Sequence, residues 1–122
     1  MKIGSISEEL TSEKRISLTP ELSKKYLDLD VEIFINKNYG IHLGFHDNDY
    51  KAEGVQILED VNEVINNSNS LIQVNLPEIN YIEKFRENTS LIGIFNPYGN
   101  KEKINLLLKK KINTFSLDLL PR

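Results

Sequence analysis

The feature of this chain that most restricts its fold is the regular alternation of short apolar stretches with segments of helical periodicity. Parallel strands need long crossover connections, so strands that alternate with helices predict a parallel sheet wrapped by helices. We therefore predict an α/β, doubly wound fold with helices on both faces. The predicted strands are 2–6, 31–35, 55–58, 70–74, 91–95 and 112–117, and the predicted helices are 20–29, 47–53, 60–67, 79–85 and 100–110.

Local signals place some of these boundaries. Thr19 followed by Pro20 is typical of a helix start, with a capping hydroxyl and a proline at the first helical position. Asp47 is the predicted cap of the next helix, and Gly54 its end. Strand 91–95 is almost wholly apolar, which predicts burial on both of its faces if the sheet is parallel.

Length and composition limit the class of protein. The chain has 122 residues, which suits a single domain, with no repeat or linker to divide it. A net charge of −3 gives no reason to expect nucleic acid or an anionic membrane as a partner. No apolar run approaches the ~20 residues of a membrane span, and the start of the chain does not resemble a signal peptide. We expect a cytoplasmic protein without disulfides, since the chain has no cysteine.

A metal site is conceivable at His42 and His46, which have Asp47 and Asp49 nearby. Gly40 and Gly44 predict a loop here, so spacing by four residues does not place the two imidazoles on a shared face. The stretch offers few ligands, and no metal site is predicted.

The loops after the strands are the predicted ligand-binding edge, because an open parallel sheet binds ligands beyond the carboxyl ends of its strands. Two of these loops, VNLP and FNPYGN, place Asn75 and Asn96 directly after a strand. An asparagine amide can donate to and accept from a ligand, but asparagine is equally typical of turns, and the pattern leaves both open. The chain has no glycine-rich dinucleotide fingerprint, no phosphate-binding lysine motif and no visible nucleophile–base pair.

Five stretches in order resemble one family. These are KIGSISEE with EKRISLTPE, the segment VEIFINKNYGIHLGFHDNDYKAEGVQI, LIQVNLP, LIGIFNPYGN and FSLDLLPR. Together they resemble the amino-terminal domain shared by alanine dehydrogenase and the α subunit of proton-translocating nicotinamide nucleotide transhydrogenase. The resemblance covers essentially all of residues 1–122 and implies a flavodoxin- or Rossmann-like amino-terminal lobe. In the family an I-S-R-A-Q-S-type segment and a Rossmann NAD-binding domain follow, so we expect the NAD-binding second lobe to be absent from 1–122.

The two branches of this family differ in chemistry. Alanine dehydrogenase polarises a 2-oxo acid with an arginine, a lysine and a histidine; Arg15 matches the arginine, but Asn75 and Asn96 stand at the other two positions. An asparagine can neither donate a proton nor hold a positive charge near neutral pH. Transhydrogenase moves hydride directly between two nicotinamides, and its α subunit typically has V-N-x-P where this chain has Val74 to Pro77. The resemblance therefore favours the transhydrogenase branch.

The resemblance implies a cofactor-facing set and no catalytic residue within this chain. The implied cofactor is NAD, bound through a longer chain or a partner domain, because the pyrophosphate and adenosine contacts lie in the second lobe. For Arg15 a surface ion pair with Glu8, Glu9 or Glu13 is the alternative. Gln73 stands where the family usually has lysine, which weakens a claim of strong anion contact there. The implied cofactor-binding residues are Arg15, Gln73, Asn75, Asn96 and Arg122.

The function that follows from the resemblance is to help position NAD(H) for hydride transfer to NADP(H), coupled to proton translocation. This chain alone is expected to be inactive. Its implied partners are the NAD(P)-binding and membrane subunits of transhydrogenase, a homodimer is expected, and contact with the inner membrane would be peripheral. The alternatives are an alanine dehydrogenase-like fragment and a non-catalytic remnant that acts as an interaction module.

Overall fold

The structure is a computed structural model that describes residues 1–95 and 99–117. Strands and helices alternate throughout, as predicted. The strands are β1 (Lys2–Ser5), β2 (Glu32–Asn36), β3 (Gln56–Leu58), β4 (Ser70–Ile72), β5 (Ser90–Gly93) and β6 (Asn113–Ser116). The helices are α1 (Pro20–Leu27), α2 (Asp47–Glu53), α3 (Val61–Asn67), α4 (Ile79–Ile82) and α5 (Lys101–Lys109), with a short 3-10 helix at Ile41–Leu43.

The six strands form one parallel sheet in the order β3-β2-β1-β4-β5-β6. The chain first builds outward from β1 through β2 to β3, and then crosses back to add β4, β5 and β6 on the other side. This is the strand order of the dinucleotide-binding α/β fold, and it confirms the predicted fold class. The order reverses between β1 and β4, which places a crevice at the carboxyl ends of these two central strands.

The two faces of the sheet carry separate apolar cores. One core packs α3, α4 and α5 against the sheet, with Leu71 and Leu91 at its centre. The other packs α1, α2 and the segment after β2 on Ile33 and Ile35. Helices therefore lie on both faces. Gly4 allows α3 to approach β1 closely, because a Cβ there would overlap the Ser68 side chain.

The helix boundaries confirm most of the local signals. Thr19 caps α1, accepting a hydrogen bond from the Leu22 N–H at 3.1 Å, and Pro20 is its first residue. Gly54 ends α2 in the left-handed region at φ 104°, a conformation that glycine adopts without strain. The predicted cap of α2 was one residue late: His46 holds the cap position, and its N–H donates to Asp49 Oδ2 at 2.8 Å.

The prediction that strand 91–95 is buried on both faces was wrong for one face. Leu91 is fully buried, but Ile92 is only half-buried and Ile94 is 46% exposed. The reason is that the helices α3 to α5 cover only the face that carries Leu91.

Candidate functional site

The candidate site is the crevice at the reversal point of the sheet. The loops after β1 and β4 meet there and, with Phe95 after β5, enclose a cavity of about 440 Å³. Three of its lining residues are acidic, Glu8, Glu9 and Glu78, and the cation among them is Lys103. The location agrees with the ligand-binding edge predicted from the order of strands and helices.

Glu8 fastens the loop after β1 to the end of β4. Its carboxylate accepts hydrogen bonds from the Val74 N–H at 2.9 Å, the Asn75 N–H at 3.1 Å and the Gln73 side chain at 2.9 Å. Glu8 is buried, and this burial raises the pKa of its carboxyl, partly opposed by the two backbone hydrogen bonds. A buried acid with this many donors holds two loops in fixed register.

Gln73 is a structural bridge between the same two strands. Its Oε1 accepts from the Ile6 N–H at 2.7 Å, while its Nε2 donates to the Ile6 carbonyl at 3.0 Å and to Glu8. The side chain is 3% exposed, so the amide forms the floor of the crevice and its polar atoms point into the protein. Its predicted contact with a cofactor stays a prediction, and this geometry shows how Gln73 shapes the crevice from below.

Glu13 joins Arg15 and Asn75, two of the residues predicted to face the cofactor. Glu13 accepts from Arg15 Nε at 2.9 Å and from Arg15 Nη2 at 2.8 Å, and it also accepts from Asn75 Nδ2 at 3.1 Å. The hydrogen bonds from Arg15 lower the pKa of Glu13 to about 2. Arg15 therefore forms the ion pair that was the alternative to a contact with the cofactor, and Glu13 is its partner.

This ion pair does not bury the arginine. The side chain of Arg15 is 67% exposed, whereas that of Glu13 is 9% exposed. A two-pronged contact on one edge of the guanidinium leaves its other edge toward solvent. Arg15 is not among the residues that line the cavity, and it is connected to the lining residue Asn75 through Glu13. Arg15 is therefore held in place and still accessible to a ligand.

Two buried tyrosines anchor the far end of the first loop. Tyr39 Oη lies 2.7 Å from Ser5 Oγ and accepts from the backbone N–H groups of Ser17 at 3.1 Å and Leu18 at 3.2 Å. Tyr50 Oη donates to the Leu18 carbonyl at 2.7 Å. Burial raises the pKa of Tyr39 to about 12, so its phenol stays protonated. The loop carrying Arg15 is thus fixed at both ends.

Sequence reasoning named Glu8 and Glu13 only as possible ion-pair partners of Arg15, and it did not single out Tyr39. A signal for the first two was present: acidic residues follow β1 directly, on a loop that the fold places beside the end of β4. Nothing in the periodicity marks Tyr39. Two of the predicted cofactor-facing residues, Asn96 and Arg122, lie outside the described residues.

The two histidines take part in local structure. His42 Nε2 lies 2.8 Å from the Lys14 carbonyl, next to the loop that carries Arg15, and His46 begins α2. Over residues 1–95 and 99–117, no three His, Asp or Glu side chains are grouped as a metal would require. Within the same ranges no helix has the length and apolar character needed to cross a membrane.

A parallel sheet with this strand order and a polar crevice at its reversal point defines an α/β domain with a candidate ligand-binding crevice. Residues 4–122 match the family described as "Alanine dehydrogenase/PNT, N-terminal domain". The chain belongs to this family, as the five motifs indicated.

Curated relatives come from both branches of the family. The chain is 27% identical to an NAD(P) transhydrogenase subunit alpha protein of Rickettsia prowazekii, over all of this chain and 33% of that protein. It is 30% identical to the NAD(P) transhydrogenase subunit alpha of Cereibacter sphaeroides, over all of this chain and 23% of that protein. It is 28% identical to the alanine dehydrogenase of Methanococcus maripaludis, over 92% of this chain and 30% of that protein. The chain thus spans a third or less of the length of these relatives.

Solved structures agree on the fold. A crystal structure of transhydrogenase from Sinorhizobium meliloti superposes with a TM-score of 0.92 at 23% identity, over the whole of this chain and 36% of that one. An L-alanine dehydrogenase superposes with a TM-score of 0.89 at 21% identity, over 95% of this chain and 32% of that one. At these identities the similarity establishes the fold.

Proposed function

We propose that this chain is the amino-terminal lobe of the NAD(H)-binding part of an NAD(P) transhydrogenase. Residues 1–122 form one domain in this proposal, and polypeptide outside it binds the adenosine and pyrophosphate groups. The crevice between β1 and β4 covers the nicotinamide end of NAD(H). Coupling to proton translocation would involve a separate membrane subunit.

The observation that carries this proposal is the hydrogen bonding of the Asn75 side chain. Its amide donates to Glu13, which at the same time holds Arg15, so position 75 supplies a neutral amide next to this ion pair. Reduction of a 2-oxo acid needs a proton donor and a positive group at the carbonyl. Transfer of hydride between two nicotinamide rings adds no proton. The neutral amide of Asn75 is therefore compatible with hydride transfer, but it cannot act as the proton donor that a 2-oxo acid requires.

The residues of the chain would bind and orient the cofactor, and they would exclude water from the crevice. Arg15, exposed and fixed by Glu13, would contact a polar group of the cofactor at the mouth of the crevice. Glu8 and Gln73 would keep the floor in place, because both are buried and hydrogen-bonded to the opposite loop. The bound cofactor itself supplies the hydride chemistry. Correct placement of the reacting groups is worth several powers of ten in rate, so the lobe contributes through positioning.

The test uses the whole translation product of the gene that encodes this chain, mixed with an NADP(H)-binding transhydrogenase subunit. Hydride exchange between NADH and an NADP⁺ analogue is followed without pyruvate, and oxidation of NADH is followed with pyruvate. We expect exchange in the first assay and none in the second. Pyruvate-dependent oxidation would instead support the alanine dehydrogenase-like alternative, and inactivity without any stabilisation by NADH would support the remnant.

Arg15→Gln tests the assigned residue, with Lys14→Gln as its control. Both variants remove one positive charge from the same loop, but only Arg15 is held by Glu13. We expect Arg15→Gln to lower the rate of exchange by roughly tenfold to a hundredfold. Lys14→Gln should stay close to the parent protein. Equal rates for the two variants would contradict a positioning role for Arg15.

A further inference from the structure

The middle of the loop between β1 and α1 carries Arg15 and has few anchors. Within the described chain, two hydrogen bonds join residues 9–15 to other elements. The first runs from the Asn75 amide, after β4, to the Glu13 carboxylate at 3.1 Å. The second comes from the segment after β2, on the opposite side of β1. Since β1 lies between β2 and β4 in the sheet, the segments after both neighbouring strands hold this stretch.

The second hydrogen bond is made by His42, in the short 3-10 helix Ile41–Leu43. Its Nε2 lies 2.8 Å from the carbonyl oxygen of Lys14, the residue directly before Arg15. A carbonyl oxygen can only accept, so the imidazole carries a hydrogen on Nε2 and donates it. The Nδ1 atom is enclosed and has no hydrogen-bond partner among the described residues. The neutral tautomer with its hydrogen on Nε2 fits these surroundings, because a hydrogen on Nδ1 would find no acceptor there.

The segment that carries His42 is itself packed on the core. The Gly40 carbonyl accepts from the backbone N–H groups three and five residues later, at 3.0 and 3.1 Å. Gly40 also lies close to the Tyr50 ring, since a Cβ at this position would approach Tyr50 Oη to 2.7 Å. Tyr39 and Tyr50 are buried, and their rings meet edge to face with centroids 6.0 Å apart. The imidazole therefore stands on a well-packed base, and its hydrogen bond restrains the more exposed loop.

We infer that His42 is a positioning residue that fixes Arg15 for its contact with the cofactor. The inference rests on the proposed function, in which the free edge of the guanidinium makes that contact. Arg15 donates to Glu13 from its side chain and from its backbone N–H, which fixes it within its own stretch of loop. The bonds from Asn75 and His42 then fix this stretch on the sheet. Without His42, the stretch would be held from the β4 side alone.

Two substitutions at position 42 separate the hydrogen bond from the ring. His42→Gln places an amide nitrogen near the position of Nε2 and keeps a donor for the Lys14 carbonyl, whereas His42→Phe keeps a ring and removes the donor. Leu43→Phe is the control, because it adds a ring to the same 3-10 helix at a position that is 47% exposed. Each variant is made in the whole translation product of the gene, and urea unfolding confirms that it folds. His42→Ala repeats the test if His42→Phe does not fold.

The first readout is hydride exchange between NADH and the NADP⁺ analogue. We expect His42→Phe to lower the rate roughly threefold to tenfold, which is about what one hydrogen bond is worth. His42→Gln and Leu43→Phe should stay close to the parent protein. In the Arg15→Gln background His42→Phe should cause no further loss, because His42 acts through the guanidinium. A contact that only stabilised the fold would give losses that multiply in the double variant, and this result would overturn the inference.

The second readout is amide hydrogen exchange of the loop peptide, which reports its anchoring without activity. The peptide that covers residues 9–16 should exchange at least about threefold faster in His42→Phe than in the parent or in Leu43→Phe. Unchanged exchange of this peptide would contradict the inference. An active parent with an unaffected His42→Phe variant would overturn the positioning role alone, whereas a parent that transfers no hydride would overturn the proposed function and the positioning role with it.

Discussion

The two halves of the sheet show how the same sequence pattern produces two different environments. On the side of β1, β2 and β3, helices lie on both faces, and Ile33 and Ile35 are fully buried. On the side of β4, β5 and β6, the helices of the described residues lie on one face only, and Ile92 on the other face is half-buried. Both halves contain strands with adjacent apolar residues that point to opposite faces, such as β2 and β5. The comparison teaches that the strand pattern specifies a sheet with two apolar faces, whereas a face is buried only where a helix covers it.

The largest expected effect is on the free energy of unfolding. It is measured with a matched pair of variants, Ile35→Ala and Ile92→Ala, in the chain 1–122. Ile35 is 0% exposed beneath α1 and α2, so truncation leaves a cavity and should lower the free energy of unfolding by about 2–5 kcal/mol. Ile92 is half-buried on the face of β5 that no helix of the described residues covers, and its truncation should cost less than about 1.5 kcal/mol. Urea unfolding measures both values. Equal costs in 1–122 would break the comparison, because the two halves would then be equally packed.

Tyr39→Phe should have the next largest effect. The variant keeps the ring in the core of the covered half but removes the hydroxyl that serves Ser5 and the backbone N–H groups of Ser17 and Leu18. Buried donors left without an acceptor cost about 1–3 kcal/mol in the free energy of unfolding. Tyr26→Phe, on the half-buried side of α1, is the control. A loss no greater than that of the control would show that Tyr39 does not anchor the loop.

The smallest expected effect is on the pH dependence of stability, through acidic residues beside the crevice between the two halves. The pKa of Glu13 is lowered from 4.5 to about 2 by its hydrogen bonds with Arg15. Its ionised form therefore stabilises the fold above pH 4.5, and this contribution is lost as the pH falls through about 2. Glu8 acts in the opposite direction, because burial raises its pKa and protonation relieves that cost. Urea midpoints measured across this range should fall with pH in the parent chain.

Glu13→Gln should show a shallower fall, because the variant has lost the group that titrates. Glu9→Gln, an exposed acid on the same loop, should follow the parent curve. A variant Glu13→Gln that keeps the full dependence on acid would mean that the Glu13–Arg15 pair does not link pH to stability.

Much of the fold was predictable because its signals are local. The order of strands and helices followed from periodicity, and Thr19, Pro20 and Gly54 marked helix ends through their own conformational preferences. The cap of α2 was misplaced by one residue, since Asp47 and His46 are adjacent polar residues and only the tertiary structure shows that the Asn38 N–H donates to Asp47.

The candidate site was predictable in place but not in detail. Parallel strands bring their following loops to one edge, so the loops that carry Arg15 and Asn75 could be expected to lie close together. Their connection through Glu13 could not, because the hydrogen bond from Asn75 to Glu13 joins residues 62 positions apart. Gln73 shows the same limit: whether an amide faces a ligand or the protein depends on which loop lies against it.

The sequence by itself determined an α/β domain with a parallel sheet, its family and the edge of the sheet at which the crevice lies, because these follow from local propensities, hydrophobic periodicity and ordered motifs. The tertiary structure alone decided that Glu8 and Glu13 organise this edge and that no helix of residues 1–95 and 99–117 covers one face of β4, β5 and β6. Both depend on contacts between segments distant in sequence, where burial and hydrogen bonding select one arrangement among many that the local pattern permits.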